Sequence, residues 1–97
     1  MKHHILAKYK AEITPEQKAE YAPKILELFN ETLEIPGITG VEVKTNCIPR
    51  ENRYDLMIVL TMDPSSLPAY DSCAAHKKWK EDYGPCLEKK AIFDCEE

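Results

Sequence analysis

Ninety-seven residues carrying 17 acidic and 13 basic side chains, for a net charge of −4, suit one small domain spanning residues 1–97. The lysines are spread along the chain, and the one local cluster, Lys77, Lys78 and Lys80, is answered by Glu81 and Asp82, so no nucleic-acid partner is expected. No apolar run approaches membrane-spanning length, and the opening MKHHILAKYKAE lacks a signal peptide's apolar core, so the expected location is the cytoplasm with no membrane partner.

Residues 3–9, HHILAKY, alternate as a strand, with His3, Ile5, Ala7 and Tyr9 in one phase and His4, Leu6 and Lys8 in the other. A helix start follows. Thr14 is a good N-cap, Pro15 fits the first helical position, and Gln17 completes a Thr-x-x-Gln capping box. Ala22, Ile25, Leu26, Phe29 and Leu33 recur at helical spacing as one apolar stripe, ended by Ile35-Pro36-Gly37. Pro23 inside that stripe predicts a kink or a split, because it lacks an N–H and crowds the Ala19 carbonyl.

Residues 39–47 alternate again, with Val41, Val43 and Thr45 opposed to Glu42, Lys44 and Asn46. Beyond a polar turn at residues 49–53, the strand YDLMIVLTM (54–62) is apolar in both phases, which predicts a central strand buried on both faces. A second helical region runs from about Leu67 to Tyr83 and closes on Gly84-Pro85, with a break suggested at Ser72–Ala75. The strand LEKKAIFDC ends the chain.

The order is therefore β-α-β-β-α-β, the α+β ferredoxin-like arrangement of a four-stranded antiparallel sheet with its helices on one face. The other face would be left bare, although the strand around Met57 and Val59 is apolar on both sides. A second copy placed sheet to sheet would cover it, so the expected partner is the protein itself, as a homodimer closing an α+β barrel.

Four cysteines, Cys47, Cys73, Cys86 and Cys95, show no metal-ligand spacing and read as reduced thiols, several of them buried as small hydrophobes. The only glycines, Gly37, Gly40 and Gly84, form no phosphate loop, and no cofactor is expected. Trp79, Tyr83, Phe29 and Tyr21 read as core. The stretch AYDSCAAHKKW, residues 69–79, carries the chemistry. It sets Tyr70 six residues before His76, about 120° apart on a straight helix, so the two converge only if the helix breaks between them.

The phrases MKHHILAKYK, EITPEQKAE, IPGITGVEV and AIFDC, with the Tyr70–His76 stretch between them, resemble the stress-responsive A/B barrel (Dabb) family along essentially the whole chain. The resemblance implies a dimeric α+β barrel with a pocket for a small apolar or aromatic molecule. Many members are uncharacterised, but one plant member closes a linear polyketide thioester by aldol condensation without a cofactor. Its catalytic tyrosine and histidine correspond to Tyr70 and His76, and residues of its first and last strands correspond to His3 and Asp94. The chain departs from the family at Cys73-Ala74-Ala75-His76, where His-Pro-x-His is common, and at Pro23 in the pocket-lining helix.

Chemically, His76 is the candidate base for a proton held between two carbonyls, and Tyr70 the donor to the oxygen that gains charge. Asp94 would accept from a ring nitrogen of His76 and fix its tautomer. His3 shares its phase with Ile5 and Ala7, which would turn all three toward the barrel interior, and Cys73 adjoins the pair. Three readings stand: a small-molecule-binding barrel without assigned activity, a cofactor-independent proton-transfer enzyme, and a metal module built from His3, His76 and Asp94. The last has ligand types but no spacing to support it.

Overall fold

The protein is described by a computed structural model over residues 1–96. Strand β1 spans Lys2–Tyr9, helix α1 Pro15–Asn30, strands β2 and β3 Ile38–Thr45 and Leu56–Met62, helices α2 and α3 Leu67–Asp71 and Ala74–Tyr83, and strand β4 Leu87–Cys95. Every pairing in the sheet is antiparallel, in the order β2-β3-β1-β4. The two-sided apolar strand, β3, is thus central, as its composition predicts. This is the ferredoxin-like α+β fold, with the second helical region divided between α2 and α3. No helix among the described residues is long and apolar enough to cross a membrane.

Local chemistry explains the elements. Thr14 Oγ1 accepts from the Gln17 amide at 3.1 Å while Gln17 Oε1 accepts from the Thr14 amide at 2.8 Å, so the capping box forms in full. Helix α1 then runs through Pro23 without splitting. Pro23 and Ala19 both lie on the exposed side, so water can satisfy the carbonyl that loses its partner. The buried stripe is Ile25, Leu28 and Phe29, continued by Thr32 in the 3-10 turn Glu31–Glu34. Leu26 and Leu33, expected inside, are 37% and 43% exposed: Leu26 lies about 100° round the helix from Ile25, at the edge of the buried stripe, and Leu33 falls in the tighter turn after Asn30, where Thr32 takes the inward position. Gly37 has φ +95°, and a Cβ there would lie 2.1 Å from Ser66 Oγ, so the entry to β2 requires glycine.

Register decides the two faces of the sheet. His3 pairs with Leu60, Ile5 with Ile58 and Ala7 with Leu56, and this face packs under the helices with Phe29, Tyr70, Ala75 and Trp79. His3, Ile5 and Ala7 therefore point to the helices and not, as expected, into a barrel between sheets. The sheet face turned away from the helices carries the opposite phase: His4, Leu6, Met57 and Val59, with Glu42 and Lys44 on β2 and Ala91 and Phe93 on β4. Phe93 stands 61% exposed there. All four cysteines are free; Cys47 is exposed and the other three are only half-buried, so none is the buried hydrophobe expected.

Candidate functional site

The candidate site lies where the start of β1 and the end of β4 meet the junction of α2 and α3. Helix α2 closes at Ser72, whose hydroxyl donates to the Pro68 carbonyl at 3.2 Å. Cys73 is extended (φ −74°, ψ 158°), and its Sγ accepts from the His76 amide at 3.4 Å, which makes it the N-cap of α3. The chain thus breaks at Ser72–Cys73, within the span the spacing argument required. Across the break the Tyr70 and His76 rings approach to 4.7 Å between centroids, tilted by 42°.

His76 is fixed by its own backbone. Its Nδ1 lies 2.9 Å from the Asp71 carbonyl, which only accepts, so Nδ1 donates and the lone pair of a neutral His76 ring falls on Nε2. The His3 ring also meets Tyr70, edge-on at 5.4 Å. His3 is 5% exposed, and its Nδ1 donates to the Asp94 carboxylate, whose side chain remains 39% exposed. Strand register explains this pair, since His3 stands directly opposite Asp94. Asp94 therefore orients His3 rather than His76, correcting the sequence expectation: β4 delivers it to β1 before any helix residue is in reach.

Tyr70 sits at the centre. It is 1% exposed, and its hydroxyl has no hydrogen-bond partner among the described residues. Burial, reinforced by the neighbouring Cys73 and Asp71, pushes the phenol well above its usual range, so Tyr70 stays protonated as a donor. A buried hydroxyl left unpaired costs about 1–3 kcal/mol. Ile5 flanks His3 in the same core face, whereas Ala7 lies further along β1 toward Leu56. Cys73 lines a neighbouring hollow of about 520 Å³ with Ala75, Glu31, Thr32 and Ile35. The Asp71 carbonyl that fixes His76 carries no sequence signal, because any residue supplies one. Among the described residues, no three His, Cys, Asp or Glu side chains are grouped so as to hold a metal ion.

Solved structures of similar shape agree with this architecture. A dimeric protein of unknown function and ferredoxin-like fold from Bacteroides fragilis is 19% identical, with a TM-score of 0.82 over 99% of this chain and 94% of that one. At3g17210 from Arabidopsis thaliana is 20% identical, with a TM-score of 0.73 over 99% of this chain and 93% of that one. The hydroxynitrile lyase of Passiflora edulis is 13% identical, with a TM-score of 0.68 over 95% and 87% of the two chains. At such identities the likeness defines the class alone, a ferredoxin-like α+β protein. The model of the stress responsive A/B barrel domain matches residues 1–97, and the chain belongs to that family. No curated protein matched it by sequence.

Proposed function

We propose that the protein is a homodimeric A/B barrel in which each protomer binds a small carbonyl-bearing molecule at Tyr70 and His76 and moves a proton on it without a cofactor. The observation that carries this reading is the buried Tyr70 hydroxyl, unpartnered among the described residues, on a ring in contact with two imidazoles, one of them holding its Nδ1 against a backbone carbonyl. A ligand oxygen would supply the partner that the hydroxyl lacks. His76 Nε2 would take a proton from carbon beside that carbonyl, and Tyr70 would donate to the oxygen as it gains charge. The His3–Asp94 pair would hold the Tyr70 ring through its edge-on contact as a positioning unit. The hydroxynitrile lyase among the proteins of similar shape is a precedent for enzymatic chemistry on this fold.

The test is proton exchange from a simple 1,3-diketone, followed by NMR in D₂O with the whole protein present. Wild type is expected to accelerate exchange; His76→Ala is expected to lose about 100-fold or more of that acceleration, and Tyr70→Phe about 10- to 100-fold. Equal exchange with wild type and His76→Ala would leave Tyr70 and His76 as a binding site without turnover.

A further inference from the structure

The opposite end of β1 holds a second buried hydroxyl. Tyr9 is 4% exposed, and its phenolic oxygen has no partner among the described residues. It lies on the order of 20 Å along the strand from His3, given about 3.3 Å per residue, so it belongs to a different site. Tyr9 lines a cavity of about 210 Å³ between the start of α1 and the β2–β3 end of the sheet, floored by Leu56, Ala19 and Thr45. That cavity shares Tyr9, Lys18, Asn46 and Asp55 with an adjoining hollow of about 470 Å³, which makes the two one depression.

Its charge is opposite to that of the whole chain. Lys8, Lys10, Lys18, Arg50 and Arg53 line the wider hollow against Glu51, Asp55 and Glu88, so basic side chains outnumber acidic ones there although the protein carries a net −4. Asp55 answers only one of them, holding Lys18 at 3.1 Å while it also accepts from the Tyr9 amide at 2.8 Å. Lys8 donates to the carbonyls of Glu51 and Arg53, which leave its charge uncancelled. No ion pair involves Lys10 or Arg50 among the described residues. The Lys18 ammonium stands 5.9 Å from the centre of the Tyr9 ring, so a cation and the ring bearing the unpaired hydroxyl line one wall.

We propose that this depression is a second ligand site, for a small organic carboxylate with a short apolar or aromatic body. The carboxylate would lie among Lys18, Lys10 and Arg50 and accept from the Tyr9 hydroxyl, a charge-assisted bond to a donor that is otherwise unpaired. The apolar body would rest on Leu56 and Ala19, a floor that offers nothing to an inorganic oxyanion.

Benzoate and hexanoate, with inorganic phosphate as the charge-only control, are to be titrated into the ¹⁵N-labelled full chain and followed by amide shifts and calorimetry. The expected result is saturable binding with Kd below about 10 mM, with shifts centred on Tyr9, Lys18 and Asn46. Tyr9→Phe keeps the ring and should weaken binding about tenfold. The double variant Lys10→Ala with Arg50→Ala, both at the rim, should weaken it severalfold and flatten its salt dependence. Absence of saturation, equal affinity for phosphate, shifts centred on Tyr70 and His76, or wild-type affinity in Tyr9→Phe would each overturn the proposal.

Discussion

Two of the five tyrosines, Tyr9 and Tyr70, end in buried hydroxyls without partners among the described residues, and each marks a proposed binding position at one end of β1 or beside it. Burial is the leading cause that raises both phenols above their usual 10.0; Asp55 adds to it at Tyr9, and Cys73 and Asp71 at Tyr70. The sign of the linkage follows. An unfolded chain releases these protons near pH 10 while the folded chain keeps them, so their contribution is complete below about pH 10 and is lost as pH rises further. Stability should therefore fall above about pH 10, and tyrosinate absorbance in the folded protein at pH 11 should lack the signals of Tyr9 and Tyr70. Phenylalanine at either position should remove that residue's share of the fall without changing the native absorbance at pH 11. Tyr70 and His76 were singled out by the family resemblance, and the break that lets them meet was legible because the residues between them are local. The partner of Asp94 was not, because strand register alone puts the carboxylate opposite His3.

At the level of elements, the chemistry of the site depends on one break. A continuous helix over residues 67–83 would turn Tyr70 and His76 about 120° apart; the extended backbone at Cys73 removes that constraint. Cysteine is a weak acceptor for a cap, so Cys73→Ser or Cys73→Asp should stabilise the protein by about 0.5–1 kcal/mol, and Cys73→Ala should cost a similar amount. Urea denaturation would measure both, and a loss of stability in Cys73→Ser would argue that Sγ is held for another reason. The capping box of α1 was readable from Thr14 and Gln17 because all its partners lie within four residues. The fate of Pro23 was not, since whether a proline splits a helix depends on what surrounds the carbonyl it frees. Leu33 misled for a related reason: periodicity alone does not locate the change from α to 3-10 geometry after Asn30.

For the whole molecule, the decisive feature is the uncovered face of the sheet. Leu6, Met57, Val59 and Phe93 lie there beside Glu42 and Lys44, an apolar centre with charges on one flank. A second copy set against it would bury that centre, and the Bacteroides fragilis neighbour is itself dimeric. Light scattering should accordingly give twice the mass of one chain at micromolar concentration, and Met57→Glu should shift the protein toward monomer; a monomeric wild type would refute the assembly. The sequence by itself determined the order of elements and the central place of β3, because periodicity and caps are written within a few neighbouring residues, and its resemblance to the family singled out Tyr70 and His76. Tertiary structure alone decided which face of β1 meets the helices, which histidine holds Asp94, and that basic residues from 8, 10, 18, 50 and 53 share one hollow with the fewer acidic Glu51, Asp55 and Glu88 in an acidic protein. Those outcomes rest on register and packing, which bring together side chains that are far apart along the chain.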